Sequence, residues 1–335
     1  FWPVMIDEGV IIKTRNHTVD IMKFLAAILI TNSHMGELYP GKFHILATGG
    51  SIGDALFFFC SGFLLMKGRA GVFLNWYKRR INRIFPTIFA VALISICVFG
   101  ADPSLKDVLL RGGGWFVQAI LLFYAIFWLI KRFFYTKLWV AYAIVMTVIL
   151  VWFFFFWDKE VFLMARDTYL RWPCYFMVML SGASIYKLES NKRINRKHLV
   201  YYLIVLTFFV FFYYGYQLLE GRFLPLRLFQ IIELPVLMCI VYMLYMVCSD
   251  TNIVNVYLKY MYFPIYYISA CCLEVYLSQS WCFGIGENLI KLFPLNVIAT
   301  FAVIFLVAYV VKVVSNFLYQ TFSVEEYNWR KMVVL

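Results

Sequence analysis

The chain has 335 residues, 64% of them hydrophobic and only 14% charged, with a net charge of +12. Soluble domains run at about 45–50% apolar and about 25% charged, so this composition excludes an ordinary soluble fold. A mean hydropathy of +0.80 and apolar runs of about 20 residues along the whole length predict an all-α, polytopic integral membrane protein.

Ten spans are expected, at 18–36, 47–67, 84–100, 114–131, 138–157, 171–187, 199–218, 227–248, 254–279 and 292–315. The first and sixth are short or polar for membrane helices, and the ninth contains Pro264, which predicts a break. Residues 1–335 read as one transmembrane domain with no appended soluble domain and no cleavable signal pattern. With the N-terminus inside, twenty Lys and Arg fall in cytoplasmic segments and nine in outer ones, and Lys23 lies within a span. That bias predicts both termini in the cytoplasm and reads the net charge as a topology signal.

The first span, "DIMKFLAAILITNSH", holds Asp20, Lys23 and His34 in an otherwise apolar run. Charges in hydrocarbon are costly and functional by default. Lys23 and His34 are eleven residues apart, so they share a helix face roughly 16 Å apart. Asp20 and Lys23 are one turn apart and can pair.

In the second span, "GGSIGDALFFFCSGFLLMK", Asp54 falls at a depth close to His34, and Gly62, beside Ser61, permits close backbone approach. An acid near a histidine can tune an imidazole for general base work. The plainer alternative is that Asp54 only caps or positions its helix.

"NWYKRRINRIFP" then clusters Lys78, Arg79, Arg80 and Arg83 just cytoplasmic of the third span, which Pro86 opens. Such a cluster is a positive-inside anchor on anionic headgroups or a phosphate clamp, since guanidinium forks match phosphate oxygens. Trp115 and Gln118 open the fourth span on the outer side, where Trp usually belongs to the interfacial belt. Glu233 and Glu274 are acidic groups inside late spans, with a cavity or another helix as their expected surroundings. The eight cysteines show no CxxC or zinc-ligand spacing, and no metal is expected. Phosphate-loop, dinucleotide and nucleophile-elbow motifs are absent.

Together these motifs resemble acyltransferase family 3, polytopic membrane acyltransferases of bacterial surface glycans. Asp20, Lys23 and His34 match the family's first-span signature, in which Arg is commoner than Lys at the middle position. Gly53, Asp54, Phe57, Phe58, Ser61 and Gly62 match its second span. Arg79, Arg80, Arg83 and Pro86 match its Arg-rich segment, and Gly114 to Phe116 its Trp-Phe motif. Ser269 stands where the family often carries a late His.

The resemblance implies a bacterial inner-membrane O-acyltransferase, and acetyl-CoA as donor. The acceptor is a hydroxyl of an envelope or exported polysaccharide, surface or lipid-linked, and no nucleic acid is a partner. It implies His34 as catalytic base with Asp54 beside it, Lys23, Arg79, Arg80 and Arg83 on the donor, and Ser61, Trp115 and Gln118 near the substrate. The competing reading is a proton-coupled transporter or glycan flippase using Lys23, His34 and Asp54 as a relay. Inverted repeats would favour it, and none is visible.

Overall fold

The structure is a computed structural model that describes residues 15–158, 161–164, 168–194, 197–322 and 326–335, except the side chains at 110, 111 and 286–289. Lys13, Lys159, Arg166 and Arg196 of the charge count, and the Arg111 side chain, lie outside the described residues.

Helix α1, His17–His34, starts where the Asn16 side chain accepts the Val19 N–H, which satisfies one of the orphan donors of a helix start. It is followed by α2, Gly50–Met66, and α3, Phe73–Phe99. A short α4, Leu105–Arg111, precedes α5, Gly114–Phe133, then α6, Leu138–Phe155, α7, Arg171–Ser190, and α8, Leu199–Arg222. A 3-10 stretch, Leu224–Ile232, runs into α9, Glu233–Cys248. The next segment is broken into α10, Thr251–Val256, a π-turn at Tyr257–Met261, α11, Tyr262–Ala270, and α12, Cys272–Leu289. The chain then forms α13, Leu295–Thr321, and the short α14, Trp329–Val333.

Among the described residues seven helices are long and apolar enough to cross a membrane: Gly41–Met66, Phe73–Phe99, Gly114–Phe133, Leu138–Phe155, Leu199–Arg222, Leu224–Cys248 and Leu295–Thr321. Ten spans are expected from the sequence. The other three are α1, α7 and the broken 251–289 segment, whose polar groups or interruptions keep them below that measure. The break in this last segment lies at the π-turn before Pro264 and again at Cys271. Widening the helix just ahead of a proline accommodates its missing N–H and its ring.

Burial runs opposite to that of a soluble protein. The very apolar α6 and α13 are only 22% and 28% buried over their apolar windows, and α8 11%. They expose large side chains such as Phe155, Phe211 and Leu306. Such faces are stable against hydrocarbon, not water.

Helix α2 sits between α1 and α7, and glycine sets the spacing. A methyl on Gly62 would stand 1.8 Å from the Met179 carbonyl oxygen, and one on Gly182 would stand 2.1 Å from that of Phe59. The two backbones touch there, as small residues allow between membrane helices. The close approach open at Gly62 in the sequence is therefore that of a helix. A second wall is built by α3, α12 and α13, and α1 contacts both groups.

The sequence reading has Pro86 opening the third span, and in the structure α3 runs unbroken from Phe73 through Pro86 to Phe99. Arg79, Arg80 and Arg83 thus sit on the same helix as that expected span, with their directions fixed by its 3.6-residue turn.

Candidate active site

Where the two walls meet, a vestibule of about 980 Å³ opens. Six cationic side chains line it, Arg15, Lys23, Lys67, Arg80, Arg83 and Lys312, against two acidic ones, Asp20 and Glu189. It joins a chamber of about 160 Å³. The two share Lys23, Leu64, Arg80, Arg83, Ala270 and Lys312, which form the neck between them.

Helix rotation sorts the arginines. Arg80 is half-buried with its guanidinium 5.1 Å from the fully buried Trp76 ring, and Arg83 reaches both cavities. Arg79, 100° away around the helix, is exposed and lines neither.

Asp20 does not pair with Lys23, contrary to the helix-spacing expectation. Arg15, just ahead of α1, folds back so that Nε donates to Asp20 Oδ2 at 2.5 Å and Nη2 to Ser269 Oγ at 3.2 Å. The same guanidinium lies 4.0 Å from the Tyr266 ring. Burial acts against this charge, but the hydrogen bond and attraction of Asp20 hold Arg15 above its ordinary range. Ser269 therefore closes an Arg–Asp contact. Lys23 makes no ion pair among the described residues and is left for the cavity.

The C-terminal end of α2 is tied down by a residue outside the expected site. Lys131 at the end of α5 donates from Nζ to the carbonyls of Leu65 at 2.5 Å and Lys67 at 2.8 Å. These are the last carbonyls of a helix, which lack intrahelical partners.

The chamber ends at a layer of rings. Phe57, Phe116 and Tyr276 line its far end, with Ser61 on the wall. Phe116 lies 5.8 Å from Phe57, 4.8 Å from Phe58 and 5.2 Å from Tyr276. Trp115 is on the other side of this layer, 5.7 Å from Tyr175, with the buried Arg171 guanidinium 3.8 Å over its ring. Neither Trp115 nor Gln118 lines the chamber. His34 lines neither the chamber nor the vestibule.

His34 is the last residue of α1 and is exposed. Its Nδ1 lies 2.8 Å from the Ile30 carbonyl oxygen. A carbonyl can only accept, so Nδ1 carries the proton and the neutral ring keeps Nε2 as an acceptor. Nearby, Asn32 Nδ2 donates to the carbonyls of Leu46 at 2.7 Å and Thr48 at 3.0 Å, and Tyr39 Oη donates to Asn32 Oδ1 at 2.5 Å. Asn296 Nδ2 donates to the Leu38 carbonyl at 2.7 Å. The loop after His34 is thereby pinned to α1 and α13.

Asp54 makes no hydrogen bond to the imidazole. Gly50 faces Ser33, whereas Gly53 packs on Ala26 and Ile30, so Asp54 lies about one turn further in than His34. The cation acting on it is Arg171.

Two acidic residues left open by the sequence receive surroundings. Glu274 is buried on the chamber wall, where Oε1 accepts from Lys312 Nζ at 3.1 Å and from Thr87 Oγ1 at 3.0 Å. Glu233 is buried at the start of α9, away from both cavities, and takes a hydrogen bond from Gln217 Nε2 at 3.3 Å. No group of three His, Cys, Asp or Glu suited to a metal occurs among the described residues.

The family model described as an acyltransferase domain matches residues 16–315. No curated protein and no solved structure matches the chain.

Proposed function

The chain belongs to acyltransferase family 3, and from that membership we propose that it carries a short acyl group, acetyl first, from cytoplasmic acyl-CoA to a polysaccharide hydroxyl outside a bacterial inner membrane. The observation that carries this reading is the arrangement along α1. A cation-lined vestibule narrows past Lys23 at one end of the helix, and an imidazole with an open Nε2 stands at the other.

The vestibule suits the nucleotide and phosphates of the donor, with Lys23, Arg80 and Arg83 as contacts. The pantetheine arm is a thin chain of amide units. Its length is about four to five extended residues, roughly 15 Å, close to the roughly 16 Å rise from Lys23 to His34. The thioester then reaches the outer end of α1 once the Phe57–Phe116–Tyr276 layer parts.

There His34 Nε2 takes the proton of the acceptor hydroxyl as its oxygen attacks the thioester carbonyl carbon. The tetrahedral adduct collapses, the C–S bond breaks, and the CoA thiolate takes the proton back from Nε2. Ester and free CoA leave, and the base is restored. The Nδ1–H bond to Ile30 keeps the working tautomer, the role an acid often fills. Asp54, one turn away and within electrostatic reach of Arg171, is then placed to orient the sugar, and Trp115, under the Arg171 guanidinium, is a stacking surface for it. Ser61 touches the passing arm, and Arg79 and Gln118 line neither cavity.

The test is purified protein given radiolabelled acetyl-CoA and a glycan acceptor. Label in alkali-labile ester on the glycan with stoichiometric CoA release supports the reading. Glycan movement with no donor requirement and no ester overturns it in favour of a flippase.

A further inference from the structure

We propose that Lys312, held by Glu274, is a donor-binding residue that seats the diphosphate of acyl-CoA at the neck of the cavity. This rests on the acyl-CoA reading above and adds a grip from α13 that the α1 and α3 residues do not provide.

The neck is where a wide vestibule meets a narrow chamber. In acyl-CoA the bulky nucleotide passes into the slender pantetheine arm at the diphosphate. A donor lying along this cavity therefore stops its wide end in the vestibule and leaves its diphosphate in the neck. Four cations meet there, Lys23 from α1, Arg80 and Arg83 from α3, and Lys312 from α13.

Among the described residues, Lys312 is the one of the four held by an ion pair. Its Nζ donates to Glu274 Oε1 at 3.1 Å, Thr87 Oγ1 donates to the same oxygen at 3.0 Å, and Thr87 and Ser315 are hydrogen-bonded at 3.0 Å. The Glu274 side chain is 2% exposed, while that of Lys312 is 23% exposed, toward the cavity. An ammonium has three donors. Glu274 takes one, and no other acceptor is bonded among the described residues, so two remain for an incoming anion.

The connectivity couples this cation to the others. Thr87 is one turn beyond Arg83 on α3, and Ser315 is one turn beyond Lys312 on α13. The Glu274 cluster thus sets the separation between the two helices that present cations to the neck. A buried ion pair kept for packing alone is a poor choice energetically, since apolar residues do that better. A pair at a cavity wall that keeps donors pointed inward fits ligand binding. Glu274 also moderates the mutual repulsion of four cations before the donor arrives.

Titration calorimetry of the purified protein with CoA, and in parallel with pantetheine, which has the arm and no phosphate, tests this. Lys312→Met is expected to weaken CoA binding by roughly tenfold to a hundredfold while leaving pantetheine unchanged, and Lys312→Arg to restore CoA binding to within a few-fold. Glu274→Gln keeps an acceptor for Thr87 and Lys312 but removes the opposing charge, so CoA affinity is expected to rise. Unchanged CoA binding in Lys312→Met, or equal losses for CoA and pantetheine, overturns the proposal. If Lys312→Met does not fold, Glu274→Gln decides, and a fall or no change in CoA affinity overturns it. Failure of the wild-type protein to bind CoA overturns the acyl-CoA reading itself, which separates the two.

Discussion

Replacing Arg80 and Arg83 together by Gln separates a donor site from a general basic surface. Both side chains line the vestibule and the neck, while Arg79 on the same helix lines neither. A hydrogen bond to a charged group contributes about 1.5–3 kcal/mol where water is limited, which suits the half-buried Arg80. The exposed Arg83 is worth about 0.2–1 kcal/mol. Their sum is about 2–4 kcal/mol, or roughly 30- to 900-fold in the dissociation constant of CoA. Arg79→Gln should stay within about twofold. The assay is a CoA binding isotherm at two ionic strengths, and the Arg83 share should shrink at high salt. If Arg79→Gln weakened CoA as much as Arg80→Gln, the arginines would act as a diffuse field or a topology signal, and the vestibule would lose its role.

Gly62→Val should lower thermal stability and yield by more than the usual overpacking cost of about 1–3 kcal/mol, because even a methyl there would stand 1.8 Å from a backbone oxygen. A fluorescence melt or size-exclusion profile equal to wild type would contradict the α2–α7 contact. Phe116→Ala should thin the ring layer. In a chain keeping Cys272 as its only cysteine, an impermeant maleimide outside should label this chamber-lining residue faster in the variant, and equal rates would mean the layer is no barrier. Single cysteines near His44, Asp102 or Glu220 should react from outside and those near Gly71 or Glu326 should not. The reverse pattern would put the vestibule on the side without CoA.

Features set by local periodicity were legible in the sequence. Lys23 and His34 share a face because eleven residues is close to three turns, and no neighbour is needed to know it. The break near Pro264 follows from the missing N–H. The rotation of a helix within the bundle is not local. Arg79 and Arg80 are equivalent as sequence, and only packing of α3 against α13 and α12 turns one inward. For the same reason the depth of Asp54 was approachable but its direction was not, and it makes no hydrogen bond to the imidazole. Asp20 chose Arg15 over Lys23 because a residue ahead of the helix can fold back, which helical spacing does not describe. Lys312 and Glu274 lie 38 residues apart on different helices, and their pairing exists only in the assembled wall. The expected spans at α1 and α7 are helices in fact. Their polar content reflects a place inside the bundle, next to α2, not a failure to form.

The most direct measurement on the central claim is acyl transfer by His34→Gln, with radiolabelled acetyl-CoA inside proteoliposomes and glycan outside. An amide can hydrogen-bond to Ile30 but cannot take a proton. Transfer to the glycan should therefore fall by roughly 10²- to 10⁴-fold, while CoA binding at the vestibule stays at the wild-type level. Near-normal transfer in His34→Gln would contradict the account, because the proton of the acceptor hydroxyl would then have to leave through another group.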